Sequence, residues 1–285
     1  MKEEIFLLGA IRKKGYDLAI NLTEGDRGAI ACLASGARYR VGFDPGKKGF
    51  FGKRRIYTHL VKNCPTPRHR VERDLDVLRR IGIFPAKEER ELFCHIPQEA
   101  QERIEEIAPY CRDAIVLHLT SRWRFKSLPV VRAVELMKKL NFEGHRLILV
   151  SGPERYEQEA IQEIQEKLKG LDFLNLSDKL SLKEYAALIK KCRCLITVDS
   201  LPLHIASAFK TPVVALFGPT SEQQWGPWNH PRARVIADTI SCRPCLMDGC
   251  GGSKRSDCLY TIDLEKVIDA VGVLTKRPSY PFILV

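Results

Sequence analysis

From residue 114 onward, short apolar runs alternate with longer segments of helical periodicity. The runs are AIVLHL (114–119), RLILVSG (146–152), FLNLS (173–177), CLITVD (194–199), PVVALFG (212–218) and RVIAD (234–238). This alternation is typical of a parallel, doubly wound sheet with helices on both faces. The nearly continuous apolar character of the runs fits strands that are buried on both sides. The sequence therefore predicts an α/β fold for this part of the chain.

The N-terminal third carries a weaker pattern of the same kind. YDLAINL and ARYRVGF are the two convincing strands, and helices are predicted over 3–14, 28–34 and 71–80. Two strands are few for an open sheet, so an incomplete N-terminal domain is expected. A charged linker over 85–110 sets the predicted boundary near Pro109. A chain of 285 residues fits two domains, here 1–109 and 110–285, the second containing a closing helix over 263–274.

The chain is basic, with a formal net charge of +11. Basic residues cluster over 46–55, 66–74 and 121–126. The charge calls for an anionic partner, which could be nucleic acid, lipid head groups or a phosphorylated small molecule. The segment 46–55 interleaves aromatic and basic residues, as an interfacial or nucleic-acid-binding loop would, but a solvated, mobile loop explains it equally well. With no run near the roughly 18 apolar residues that span a bilayer and no leader-like start, a cytoplasmic location is expected.

Ten cysteines in such a chain indicate reduced thiols. Four lie close together in the sequence: Cys242, Cys245, Cys250 and Cys258. A CxxC pair followed by two further cysteines could hold zinc through thiolates. The later spacings differ from those of a zinc ribbon, so a compact loop that merely contains cysteines is the alternative.

Polar residues follow several of the predicted strands. They are Thr120, Ser121, Lys126, Ser151, Glu154, Asp199, Ser200, His204, Thr220 and Glu222. In an open parallel sheet, ligands bind beyond the carboxyl ends of the strands, and helix N-termini there attract phosphate. Taken singly, Asp199 and Ser200 suit a helix cap, and His204 suits a packed histidine. Together the residues favour a nucleotide-diphosphate site, although neither GxxxxGK[ST] nor GxGxxG is present.

Longer motifs carry a resemblance to a known family. The stretch VDSLPLHIASAFKTPVVALFGPTSEQQWGPW (198–228) resembles the signature of bacterial lipopolysaccharide heptosyltransferases, glycosyltransferase family nine. YDLAINLTEGDRGAIACLASGARYRVGF (16–43) resembles the N-terminal domain of that family. SCRPCLMDGCGGSKRSDCL (241–259) resembles the cysteine loop of its core type III branch. The likeness covers residues from about Tyr16 to Leu259.

The resemblance implies a GT-B architecture of two Rossmann-like domains with parallel sheets. It implies inverting, metal-independent transfer of heptose from ADP-L-glycero-D-manno-heptose to the lipopolysaccharide inner core, without a cofactor. The implied partners are ADP-heptose, the inner-core acceptor and the anionic inner face of the inner membrane, and not nucleic acid. By position, Lys126 matches a lysine on the donor phosphates and serves in catalysis. The other matched donor-site residues are Thr120, Ser121, Glu154, Asp199, Ser200, His204, Gly218 and Thr220.

Two departures from the family pattern bear on catalysis. Leu201 follows the Asp-Ser pair where the family has a small residue. The family's opening strand and turn, with the aspartate that acts as base, have no counterpart, so a shortened member is expected. Asp26, beside Glu24, is the substitute base that the sequence offers. The alternatives are a non-catalytic nucleotide-sugar-binding protein, and a nucleic-acid module built on the basic loops and a zinc-bound cysteine cluster.

Overall fold

The computed structural model describes residues 2–275. These residues form two compact units that divide between Arg90 and Glu91. Residues 276–285, which the sequence prediction included in the second domain, lie outside the described part. No helix within residues 2–275 is long and apolar enough to cross a bilayer.

The N-terminal unit is built on a parallel sheet of order β1-β2-β3. Its strands are β1 (Leu18–Asn21), β2 (Tyr39–Phe43) and β3 (His59–Val61). Its helices are α1 (Lys2–Lys13), α2 (Asp26–Ser35) and α3 (Arg70–Arg79). The third strand was not predicted, since a three-residue run beside a basic loop gives little periodic signal. A small core forms where Ala29 and Cys32 of α2 meet Ile56 and Tyr57.

The C-terminal unit contains a six-stranded parallel sheet of order β6-β5-β4-β7-β8-β9. Its strands are β4 (Ala114–His118), β5 (Arg146–Leu149), β6 (Leu174–Asn175), β7 (Cys194–Val198), β8 (Val213–Phe217) and β9 (Ala233–Ala237). Its helices are α4 (Gln98–Ile107), α5 (Val130–Phe142), α6 (Arg155–Lys167), α7 (Leu182–Lys191), α8 (Leu201–Phe209), α9 (Glu222–Trp225), α10 (Asp257–Tyr260) and α11 (Leu264–Thr275). The predicted α/β fold is thus confirmed.

Both faces of the six-stranded sheet are covered, as continuous apolar strands require. Ile115 and Leu117 of β4 pack on the side of α5, α6 and α11. Ala114 and Val116 of the same strand pack on the side of α4, α7 and α8. The central strands β4, β7 and β8 are buried throughout.

The division between the units differs from the predicted boundary at Pro109. Helix α4 belongs to the C-terminal unit, because its apolar face, with Ala100 and Ile104, packs into the same cluster as Leu188 and Ile189 of α7. Lys191 at the end of α7 also donates a hydrogen bond from Nζ to the carbonyl of Gln101. The charged outer face of α4 gave the segment its linker-like composition.

Candidate active site

A cavity of about 790 Å³ lies at the carboxyl ends of the strands in the C-terminal unit. The chain order reverses direction around β4, which has β5 on one side and β7 on the other. Such a switch point leaves a crevice in which ligands bind. Of the polar residues singled out in the sequence, the following line the cavity: Ser121, Lys126, Ser151, Glu154, Asp199, Ser200 and His204. The structure therefore brings together residues from three separate strand–helix connections.

An ion pair between Lys126 and Asp199 lies at the centre of this group. Lys126 Nζ is 2.8 Å from Asp199 Oδ2. The Asp199 side chain is 4% exposed and that of Lys126 is 18% exposed, so solvent screens the pair weakly. Lys126 ends a short 3₁₀ turn after β4, and Asp199 directly follows β7. An ammonium group has three N–H donors, and Asp199 takes one of them.

Helix α8 begins at the cavity with an N-terminus that its own cap leaves open. Ser200 occupies the N-cap position but makes no side-chain cap hydrogen bond. Its Oγ instead lies 3.4 Å from the Val198 carbonyl. The conventional cap expected for Asp199 and Ser200 is therefore not formed. The N-terminus of a helix carries partial positive charge and attracts anions such as phosphate. In α8, Pro202 has no N–H, and the Leu203 N–H donates to the Ser200 carbonyl at 3.2 Å.

The turn after β8, residues 218–221, is held by Arg243 from the cysteine-containing loop. The Arg243 side chain is 7% exposed. Its Nε donates to the Gly218 carbonyl at 2.6 Å, and its Nη2 donates to Glu222 Oε2 at 2.8 Å. Nη1 donates to the Asp238 carbonyl at 3.1 Å. This guanidinium fixes the backbone of a turn that the resemblance places beside the diphosphate.

Thr220 in this turn has a buried hydroxyl that lacks a hydrogen-bond partner among the described residues. The residue is 8% exposed. An unsatisfied buried hydroxyl costs about 1–3 kcal/mol, and a ligand that bonded to it would recover that free energy. Gly218 and Thr220 do not line the cavity itself; they lie in the turn next to β8.

Thr120, which is predicted to bind the donor, does not line this cavity and contacts Glu157. Thr120 Oγ1 donates to Glu157 Oε1 at 2.6 Å, and the Gly152 N–H donates to the same oxygen at 3.3 Å. Glu157 is 1% exposed and lines the cavity. A Cβ at position 152 would lie 2.5 Å from Glu157 Oε2, so a glycine is needed there. Sequence reasoning missed Glu157 because it lies in the first turn of α6, not directly after a strand.

His118 and Tyr185 form a second buried polar contact in the cavity wall. Tyr185 Oη lies 2.8 Å from His118 Nδ1. Burial lowers the pKa of His118 to about 4, because the charged ring would lose its hydration. The ring is therefore neutral near neutral pH. In the sequence His118 lies within the apolar run AIVLHL, and no local signal distinguishes it.

The rim of the cavity is formed by more exposed residues. Glu154, predicted to contact the nucleoside, has a half-exposed side chain. Arg122 Nε lies 3.7 Å from Glu154 Oε1. Trp123 is 56% exposed beside it. The Arg122 guanidinium lies over the Trp123 ring, 5.9 Å from its centroid. An accessible carboxylate suits hydrogen bonding to ribose hydroxyls, and an exposed indole suits stacking on a base.

Asp26, the predicted base, lies in the N-terminal unit as the first residue of α2. Lys53 Nζ donates to Asp26 Oδ1 at 2.8 Å and to the Glu24 carbonyl at 2.6 Å. The Asp26 side chain is still 49% exposed, so a substrate could reach its second oxygen. Arg73 pairs with the Glu24 carboxylate and, with its side-chain hydrogen bond as the main cause, lowers the pKa of Glu24.

The cysteine loop does not form the metal site considered for it. Within residues 2–275, no group of three or more His, Cys, Asp or Glu is placed to hold a metal ion. Cys242, Cys245 and Cys250 are exposed, whereas Cys258 is buried in α10. Burial, with a smaller contribution from the nearby Cys250, Cys245 and Cys242, raises the pKa of the Cys258 thiol to about 11. The observed role of the loop is to carry Arg243 to the turn after β8.

Comparison with known proteins identifies the family of this chain. Residues 6–254 match the model of glycosyltransferase family 9 (heptosyltransferase). The chain belongs to this family. Among its curated relatives, lipopolysaccharide heptosyltransferase 3 of Escherichia coli K12 is 30% identical over 229 residues, which cover 80% of this chain and 66% of that protein. The match thus spans just under two thirds of the relative.

Solved structures of other proteins have the same fold as this chain. The family 9 glycosyltransferase of Veillonella parvula has a TM-score of 0.76 at 22% identity, covering 96% of this chain and 79% of that one. The ADP-heptose lipopolysaccharide heptosyltransferase II of E. coli has a TM-score of 0.73 at 22% identity, covering 96% and 81%. These likenesses confirm the predicted GT-B type of fold with parallel sheets.

Proposed function

We propose that this chain transfers L-glycero-D-manno-heptose from ADP-heptose to the inner core of lipopolysaccharide. The family membership and the heptosyltransferase relatives support the reaction class. The observation that carries the proposal is the buried Lys126–Asp199 pair at the open end of α8, inside a cavity of nucleotide-sugar size. The set of groups suits a ligand with a diphosphate at its centre.

The donor is proposed to lie with its diphosphate between Lys126 and the start of α8. The ammonium of Lys126 and the positive end of the α8 dipole would stabilise the negative charge that grows on ADP as the glycosidic bond breaks. Asp199 holds Lys126 in place, and Arg243 holds the adjoining turn. In this proposal the charge of the leaving group is met by protein groups, without a metal ion.

Inversion requires the acceptor hydroxyl to attack the anomeric carbon from the face opposite to ADP. A new carbon–oxygen bond forms to the acceptor, the bond to the β-phosphate oxygen breaks with its electron pair, and the hydroxyl proton passes to a base. Asp26 is the base that we propose, because its carboxylate is half exposed at the start of α2. The acceptor is held in a membrane, so the reaction is proposed to occur at the inner face of the inner membrane.

The test combines binding and transfer on one preparation of the full chain. Calorimetry measures binding of ADP and ADP-heptose, and a parallel assay measures heptose transfer to a heptose-deficient lipopolysaccharide. Binding of both ligands together with transfer is expected. Binding without transfer would favour the alternative, a non-catalytic nucleotide-sugar-binding protein. Absence of ADP binding by the folded chain would contradict the donor site.

A further inference from the structure

The loop over residues 46–55, called the tip loop below, exposes aromatic side chains among basic ones. Phe51 is 96% exposed and Phe50 is 40% exposed. Lys47, Lys48, Arg54 and Arg55 are exposed on either side of them. A phenylalanine in full contact with water forgoes about 1.5–3 kcal/mol of burial free energy. The tip loop therefore combines an unburied apolar group with a local excess of positive charge.

The tip loop is anchored at its base, so the exposure of Phe51 is built into the fold. Lys53 is 3% exposed, and its Nζ is bonded to Asp26 Oδ1 and to the Glu24 carbonyl. Ile56 and Tyr57 follow it into the core of the N-terminal unit. Gly49 and Gly52, with φ of 88° and 83°, make the two reversals that carry Phe50 and Phe51 outward.

We infer that the tip loop is a membrane contact, with Phe50 and Phe51 entering the interface of an anionic bilayer. The exposed lysines and arginines would meet head-group phosphates, each contributing attraction that decays within a Debye length. Aromatic side chains favour the head-group region of a bilayer. An apolar anchor together with basic residues binds a membrane more tightly than either one alone. The charge of the loop is complementary to an anionic lipid surface.

The position of the tip loop links this contact to the reaction, a step that rests on the proposed function. Lys53 joins the loop to Asp26, which follows β1 at the carboxyl edge of the N-terminal sheet. A Cβ on Gly49 would lie 2.5 Å from Asp26 Oδ1, so the loop backbone passes beside that carboxylate. A bilayer that received Phe51 would hold its lipids close to the proposed base.

The test is cosedimentation of the full chain with phosphatidylcholine vesicles that contain or lack phosphatidylglycerol, in the absence of lipopolysaccharide and nucleotide. Wild type should bind the anionic vesicles and not the neutral ones. Phe51→Ser should weaken binding about tenfold, because it removes most of one buried aromatic side chain. Lys47→Gln with Lys48→Gln should weaken it roughly tenfold or more, because two charges near the surface are lost.

Matched variants in the C-terminal unit serve as controls. Phe142 at the end of α5 is 89% exposed, and Lys138 and Lys169 are exposed lysines. Phe142→Ser, and Lys138→Gln with Lys169→Gln, should bind vesicles as wild type does. Phe51→Trp should retain binding and show a blue shift of its added fluorescence on anionic vesicles.

Several outcomes would overturn the inference. One is wild type that fails to bind anionic vesicles. Another is Phe51→Ser that binds as tightly as wild type. In that case the charge of the loop alone would explain its binding, and a charged loop would attract nucleic acid as well as lipid. Loss of vesicle binding equal in Phe51→Ser and Phe142→Ser would also count against it. ADP binding, measured separately by calorimetry, distinguishes these failures from failure of the proposed function.

Discussion

Lys126 is the residue whose removal tests the donor site most directly. Lys126→Ala should lower heptose turnover about a hundredfold, because it removes a cationic donor from the departing diphosphate. It also leaves the buried Asp199 carboxylate without its partner, so the chain should be destabilised. The measurement is initial rate at saturating acceptor together with the melting temperature.

Two further variants separate catalysis from stability. Lys126→Ala combined with Asp199→Asn should regain stability but not turnover. Lys138→Ala removes an exposed lysine on α5 and should change neither. Turnover of Lys126→Ala equal to wild type would remove Lys126 from the site.

Arg243 is predicted to act on the donor through the turn after β8. Arg243→Lys should weaken ADP binding about tenfold, because one ammonium cannot replace the bonds of the guanidinium to Gly218, Asp238 and Glu222. Unfolding should become easier by roughly 1–3 kcal/mol, since carbonyls lose their donors. Calorimetry with ADP gives the dissociation constant.

The control for this prediction is Arg234→Lys on β9, where the arginine is exposed. It should bind ADP as wild type does. An Arg243→Lys chain that is destabilised but binds ADP normally would show a purely structural role for Arg243.

At the residue scale, sequence reasoning succeeded where position along a strand decides function. Lys126, Asp199 and Ser200 each follow a strand, and the rule that parallel strands present their carboxyl ends to one edge brought them together. Glu157 and His118 escaped it, because one lies inside a helix and the other inside an apolar run. The spacing of the four cysteines could not predict that Cys258 is buried while Cys242, Cys245 and Cys250 are exposed.

His118, the last residue of β4, should make the free energy of unfolding depend on pH in the acid range. Unfolded His118 titrates near its ordinary value of 6.5, whereas the buried ring stays neutral down to about 4. Between these values the unfolded chain binds a proton that the folded chain does not, so the free energy of unfolding falls as pH falls. The full loss from this group is roughly 3 kcal/mol and is absent above about pH 6.5.

The measurement compares wild type with His118→Gln, which lacks the titrating ring. Urea unfolding is followed by tryptophan fluorescence, and the three tryptophans, Trp123, Trp225 and Trp228, all lie in the C-terminal unit. Between pH 6.5 and 4 the stability of wild type should fall relative to that of the variant. Parallel pH dependence in the two chains would refute the assignment of the acid sensitivity to His118.

At the element scale, the strongly periodic elements were predictable and the short or amphipathic ones were not. The spacing of Ser181 and Glu184 in the sequence predicts a capping box at the start of α7, and both of its hydrogen bonds are present. By residue type Ser127 is the expected N-cap of α5, but Pro129 holds that position and Ser127 Oγ accepts from the Ser121 N–H. A loop hydrogen bond of this kind depends on tertiary contact, which a single sequence does not display.

For the whole molecule, the cavity lies within one unit, which predicts that this unit binds ADP by itself. Every residue that lines the cavity lies between His118 and Trp225, within the C-terminal unit. A fragment of residues 91–285 should therefore fold and bind ADP with an affinity close to that of the full chain, but should not transfer heptose, because it lacks Asp26. Calorimetry and fluorescence test this.

A folded fragment that failed to bind ADP would place part of the donor site in the N-terminal unit. Transfer by the fragment would exclude Asp26 as the base.

The strand order also sets when the donor site can come into being during synthesis. Lys126 follows β4 and Asp199 follows β7; these strands are neighbours in the sheet, although β5 and β6 lie between them in the chain. A nascent polypeptide therefore holds no complete site until β7 has left the ribosome and inserted beside β4. Among ribosome-bound chains of increasing length, ADP binding should therefore begin abruptly at the length at which β7 can pair with β4.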